Sequence, residues 1–205
     1  MNTNANLLAT RLWPVAAKSD WMREAALAIL GSLLVALCAQ VSIPMVPVPM
    51  TLQTLAVLAI GAAYGSRLGA ATLCLYALEG AAGLPVFANF QAGLFLPSGE
   101  IIATGGYIIG FILAAGLVGW LAERGWDRSF AWMFLAMLMG AGVLYVPGLL
   151  WLTVWLAALK GMAWDASLAV ALSTGLLPFV WGDLAKAALA AAAFPAAWSM
   201  IGAKS

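Results

Sequence analysis

Histidine is absent from the 205 residues, and with it the side chain most often used as a general base near neutral pH. Cysteine is scarce. Cys38 and Cys74 both fall in apolar stretches, where a buried free thiol is the ordinary state. Neither has another ligand type beside it, so a zinc or haem centre has no support and no resident cofactor is expected. Charge is the third scarcity. Asp, Glu, Lys and Arg make up 8% of the chain, against about 25% in soluble domains, too few to cover a surface facing water. The net charge is +1 with no block of Lys or Arg, which argues against nucleic acid as a partner. No glycine loop of the phosphate-binding kind occurs, which argues against direct use of ATP.

What fills the chain instead is apolar: 65% of the residues, with a mean hydropathy of +1.02. The apolar runs are about twenty residues long and rich in Leu and Ala. They read as membrane-spanning helices rather than the ten-residue alternating segments of a β-barrel. The expected class is therefore an all-α integral membrane protein, with residues 1–205 as one domain embedded in the lipid bilayer. Residues 1–20 lack an apolar core followed by a small-residue cleavage site and are read as a retained tail. Within them, 6–17 form either a short amphipathic piece at the interface or a loose tail.

The first span is expected over 25–41, and the next two over 51–64 and 67–79, with a tight turn at Gly65–Gly69 between them. Pro44, Pro47 and Pro49 separate the first span from the second as an extended segment. Ala28, Ser32 and Ala36 recur every four residues in the first span. Such a stripe lets another helix approach closely, whether from the same chain or from a separate subunit. Residues 80–103 break the apolar pattern for longest, yet carry Leu84, Phe87, Phe90, Leu94 and Phe95. They read as a loop folded over or into the bundle, because non-helical backbone at membrane depth needs protein or a cavity to receive it. The fourth span opens at Thr104 and runs to Ala122, and the fifth covers 132–159 with a kink expected at Pro147. Residues 166–177 are too few to cross. The sixth span starts at Pro178 and ends near Ile201.

An even number of spans puts both termini on one side. With that side cytoplasmic, seven of the nine basic residues (Arg11, Lys18, Arg23, Arg67, Arg124, Arg128 and Lys204) are inside, as the positive-inside rule asks. The proline segment, the 80–103 loop and the start of the sixth span then converge outside the cell. Asp183 and Lys186 lie in the first turns of that span, three positions apart on one helix face. Charges within a span usually mark a substrate or ion pathway, although a self-neutralising pair that locks packing is the alternative. Other polar candidates on that side are Gln53, Asn89, Gln91 and Tyr107, with Phe87, Phe90 and Trp181 as apolar companions. The mixture suits a small amphipathic ligand. For Gln53, Asn89 and Gln91 a cap or loop role is the other reading, and for Tyr107 a place in the interfacial aromatic belt.

Four stretches in order, VPVPMTLQTLAVLAIGAAYGSRLGA, YALEGAAGLPVFANF, TGGYIIGF and PFVWGDLAKAALA, resemble successive motifs of the BioY family, the biotin-specific S components of energy-coupling factor (ECF) transporters. The likeness covers about residues 44–190. It implies six transmembrane helices with a folded extracytoplasmic loop between helices 3 and 4, in the inner membrane of a bacterial cell. It implies no enzyme activity and an outward-facing biotin pocket contacted by Asn89, Asp183 and Lys186, with Tyr107, Gln53 and Phe87 nearby. A urea ring with two N–H donors and a carbonyl, carrying an apolar tail with a carboxylate, suits such a site. The resemblance also implies partners: a transmembrane coupling subunit, docked on Ala28, Ser32 and Ala36, and two ATPase subunits. The alternatives are an S component for another vitamin, an intramembrane enzyme using Asp183 and Lys186 as acid and base, or an assembly subunit without ligand.

Overall fold

The computed structural model describes residues 7–13, 20–95 and 101–202. Seven helices follow in order: α1 Leu8–Leu12, α2 Asp20–Gln40, α3 Gln53–Ala81, α4 Gly105–Ala122, α5 Phe130–Lys160, α6 Trp164–Gly175 and α7 Val180–Gly202. Five of them, α2, α3, α4, α5 and α7, are long and apolar enough to cross a membrane. At twelve residues, α6 reaches about 18 Å, short of the roughly 30 Å hydrocarbon core.

Within α3 the backbone leaves helical geometry at Gly65 (φ 84°, ψ 178°), a conformation open to glycine and strained for other residues. There the chain doubles back. A Cβ on Gly69 would lie 3.0 Å from the Cα of Gly61, and Gln53 Nε2 donates to the Tyr76 hydroxyl at 2.7 Å. In a straight helix those last two residues would stand about 35 Å apart. The expected turn at 65–69 is thus a one-residue reversal that leaves two antiparallel arms, 53–64 and 66–81. Glu123, just beyond α4, holds it: its Oε1 accepts from both the backbone N–H and the hydroxyl of Ser66, each at 2.8 Å. The carboxylate satisfies a free donor at the start of the second arm and meets the positive end of its dipole.

The central helix, α4, approaches its neighbours through glycines. A Cβ on Gly61 would meet Ala115 O at 2.5 Å, one on Gly110 would meet Leu144 O at 2.5 Å, and one on Gly119 would meet the carbonyl carbon of Gly65 at 2.3 Å. Backbones this close suit membrane interiors, where van der Waals packing replaces the hydrophobic drive between helices. Leu73, Tyr76, Val118, Met133, Met137 and Leu144 fill the core between α3, α4 and α5.

Other expectations shift by a few residues. α2 begins at Asp20, earlier than 25, and α7 at Val180 rather than Pro178. α5 runs as one helix through Pro147. The proline segment closes a two-stranded hairpin, β1 Ser42–Ile43 against β2 Met50–Thr51, with Ser42 opposite Thr51. Leu7 and Leu8 are buried, Leu8 within the core cluster, and Leu7 lies against Gly65. Of the expected 1–20 tail, 1–6 and 14–19 lie outside the described residues, as do 96–100 of the loop. The described part of the loop meets the bundle chiefly through Phe87, while Leu84, Phe90, Leu94 and Phe95 are exposed, against the expectation that they fold inward. Phe87 is buried against Gly80, and Gln40 ties α2 to it by donating to Phe87 O (3.1 Å) and accepting from Phe90 N (3.0 Å). Trp151 and Trp155 of α5 donate to Ile102 O (2.9 Å) and Ile101 O (2.8 Å).

At the end of the bundle near Glu123, Asp127 is fully buried between α4 and α5. Its Oδ2 accepts from Trp198 Nε1 at 2.5 Å, while Oδ1 has no partner. Burial pushes this carboxyl above its usual range, against the weaker opposing pull of Trp198 and Arg128. The folded state therefore holds the proton more tightly than the unfolded state does, and this group's contribution to stability falls as pH rises from about 4 through the raised value. Thermal unfolding in detergent is expected to show wild type losing stability over that rise more steeply than Asp127→Asn. Gly119→Ala, which drives a methyl into backbone, should cost about 1–3 kcal/mol in the same assay; an unchanged midpoint would mean that α4 and the Gly65 reversal are not rigidly packed.

Candidate functional site

The chemistry concentrates where the start of α3, the start of α4, the middle of α5 and the first turns of α7 meet beneath the 80–95 loop. A cavity there, open at its mouth, holds about 50 Å³ of free space. Val48, Pro49, Phe87, Ile108, Phe111, Leu144 and Phe179 make its apolar walls, and Thr51, Gln53, Thr54, Tyr76, Thr104, Tyr107, Tyr145 and Lys186 carry its polar atoms. A second hollow, of about 290 Å³, lies by the Gly65 reversal between α1, α2 and Glu123. It is larger but lacks the enclosing loop.

At the polar end of the first cavity α7 is tied to α3. Lys186 Nζ donates to Thr54 Oγ1 (2.7 Å), to the Thr51 carbonyl (2.9 Å) and to Asp183 Oδ1 (3.1 Å). An ammonium has three protons, and all three are engaged. Thr54 in turn donates to Asp183 Oδ1 at 3.1 Å, so its hydroxyl bridges the two charges. Tyr145 of α5 donates to Asp183 Oδ2. The carboxylate thus accepts three bonds of roughly four available. The lysine and aspartate side chains are 12% and 10% exposed, which makes the pair interior, held by Coulomb attraction and complete hydrogen bonding together.

Gln53 is locked into the wall: its backbone N–H bonds Thr51 Oγ1 (3.3 Å), its side-chain oxygen accepts from the same hydroxyl (3.2 Å), and its amide reaches Tyr76. Tyr76 passes its own proton to Val86 O at 3.0 Å, which couples the loop to α3. Tyr107 donates to Gly175 O at 2.9 Å and meets the Tyr145 ring edge-on, centroids 6.3 Å apart.

Of the residues singled out from sequence, Gln53, Phe87, Tyr107 and Lys186 line this cavity, and Tyr107 is buried in protein rather than placed in an interfacial belt. Asp183 stands behind the wall, screened by Thr54 and Tyr145. Asn89 does not line it: the residue is exposed, takes a left-handed backbone (φ 57°), and accepts from the Ser42 hydroxyl at 3.4 Å, while its neighbour Ala88 reaches the cavity. Phe90 (70% exposed) and Trp181 (78%) face away, as does Gln91. The Ala28, Ser32, Ala36 stripe packs inward, with Ser32 fully buried and donating to Glu79 Oε1 at 3.1 Å. The open face of α2 is instead Ile29, Leu30, Leu33, Leu34 and Leu37. Sequence reasoning passed over Thr51, Thr54 and Tyr145. One signal was available: of four tyrosines in the chain, the three at 76, 107 and 145 converge here.

The architecture also has a solved counterpart. The S-component for biotin from an ECF-type ABC transporter superposes with a TM-score of 0.68 at 20% identity, covering 88% of this chain and 93% of that one. The fold is thus that of an S component, with five helices among the described residues long and apolar enough to cross a membrane. Within that class, the chain belongs to the BioY family, whose model it matches over residues 4–203. It is 38% identical to the biotin transporter BioY of Thermotoga maritima across 83% of this chain and 92% of that one. It is 36% identical to a probable biotin transporter BioY of Pyrococcus horikoshii across 82% and 91%. These relatives are transporters, not enzymes.

Removing one partner of an interior ion pair leaves the other uncompensated, at a cost of about 3–5 kcal/mol, whereas replacing both together costs much less. Ligand-free thermal unfolding should therefore show Lys186→Met strongly destabilised and Lys186→Met with Asp183→Asn partly restored. Additive effects of the two substitutions would show that the pair is not the tie between α3 and α7.

Proposed function

We propose that this chain captures biotin in the cavity between α3, α4, α5 and α7 and serves as the high-affinity substrate-binding subunit of an ECF-type uptake system. The observation that carries the reading is the cavity itself, apolar along most of its wall and polar at the Lys186 end, in a chain whose relatives across nine-tenths of their length are named biotin transporters. An amphipathic ligand with a bicyclic urea and an apolar tail matches that division. Lys186, Gln53, Tyr107 and Phe87 form the wall around the ligand. Asp183 supports Lys186 and Tyr145 from behind, and Asn89 rides on the loop that closes the mouth.

In the same reading the two arms of α3, about 18 Å and 24 Å long as helices, enter and leave the bilayer with the hairpin before them and the loop after them making up the remaining depth, and with α2, α4, α5 and α7 they give six crossings. Basic residues place both termini in the cytoplasm and the cavity mouth outside, in a bacterial inner membrane. The chain carries no phosphate loop, so the energy for release comes from partners: a transmembrane coupling subunit and two ATPase subunits. With the small-residue stripe of α2 turned inward, the coupling subunit meets this chain on the leucine face of that helix rather than on Ala28, Ser32 and Ala36.

Equilibrium binding of radiolabelled biotin to the purified protein in detergent is expected to be saturable and submicromolar, and weakened at least tenfold in Lys186→Ala. Because the charged pair is internally neutral, affinity should change little between low and moderate salt. No binding by folded wild type, or displacement by an unrelated vitamin with biotin inert, would overturn the reading.

A further inference from the structure

Tyr145 lines the cavity and Asp183 does not, yet the two are joined, with the phenol donating to Asp183 Oδ2. A phenol has one proton and two acceptor lone pairs. With the proton turned toward the carboxylate, what remains for a ligand is an acceptor oxygen. The carboxylate behind it strengthens that oxygen as an acceptor, because bonds in a chain polarise one another. Lys186, the other charged group at this end, has all three protons engaged by Thr51, Thr54 and Asp183. A ligand arriving here therefore meets a fixed acceptor and no free ammonium proton. The phenol is also held in place, since the Tyr107 ring abuts it edge-on at 89° and the Tyr107 hydroxyl is anchored to the Gly175 carbonyl.

We propose that Tyr145 is a specificity-determining contact whose phenol oxygen accepts one N–H of the ligand's urea ring. Asp183 acts through it as a positioning residue that keeps the tyrosine proton pointed away from the cavity. This inference rests on the biotin reading and adds to it the atom that recognises the ring. Without the aspartate the hydroxyl can turn and present its proton, which would oppose an N–H and favour a ligand with an acceptor in that place.

The test compares biotin with its two cyclic carbamate analogues, in which one or the other ring N–H is replaced by oxygen. Wild type should bind one carbamate about tenfold or more weaker than biotin, the usual effect of losing a buried hydrogen bond. In Tyr145→Phe that ratio should fall to near one, because the discriminating acceptor is gone, whereas a tyrosine that only packs the helices would weaken both ligands equally and leave the ratio intact. Asp183→Asn retains the phenol and should lower the ratio partway, and it carries the same test should Tyr145→Phe not fold. An unchanged ratio in either variant, or no discrimination by wild type at either nitrogen, overturns this inference alone. Failure of wild type to bind biotin at all overturns the functional reading beneath it.

Discussion

Charge inside a membrane must be neutralised where it stands, and one cluster here does so while tying three helices together. Lys186 and Asp183 come from α7, Thr51 and Thr54 from the start of α3 and the residues before it, and Tyr145 from α5. Every proton on the lysine has a named acceptor, and the carboxylate accepts from three donors. Because a half-satisfied cluster of this kind would be worse than an apolar one, the geometry is held closely. The cavity wall inherits that rigidity. These contacts are the ones a lock on helix packing requires, and they border the cavity proposed as the ligand site.

The rest of the bundle brings that cluster together. Gly65 reverses α3, so that Gln53 on one arm bonds Tyr76 on the other. Glu123 and Gly119 secure the reversal from the end of α4. The glycines of α4 let α3 and α5 approach closely enough for Tyr107 and Tyr145 to meet. The loop after α3 closes over the result through Phe87, Gln40 and the two tryptophans of α5. The backbone reversal at Gly65 thus brings Gln53 and Tyr76 together in one wall of the cavity.

Much of this was legible beforehand. Scarcity of charge identified a membrane protein, and the apolar runs located the long helices. The glycine–serine break marked the reversal of α3, whereas of the five bulky apolar residues that pointed to a loop folded onto the bundle only Phe87 is buried, and Leu84, Phe90, Leu94 and Phe95 are exposed. What could not be read was direction. A lipid-facing surface and a buried surface are equally apolar, so nothing in the pattern says that Trp181 and Phe90 turn out, or that Leu33 and Leu37 form the open face of α2. Nor could the partners of Lys186 be foreseen. Thr51 and Thr54 look like residues at a helix start, Tyr145 lies within a uniformly apolar span, and only tertiary packing brings them to the charge. For Asn89, which the family motif singled out, the side chain lies beside Ser42 outside the cavity, while its neighbours Phe87 and Ala88 line it.

The central claim is that the ligand lies against this cluster rather than elsewhere on the bundle. Photolabelling of the purified protein with a diazirine derivative of biotin, followed by peptide mass spectrometry, tests it directly. Competable adducts confined to residues 48–54, 104–111 and 144–145 are the expected result. Adducts on the leucine face of α2, or around Leu7, Arg23 and Arg67 by the Gly65 reversal, would contradict the account.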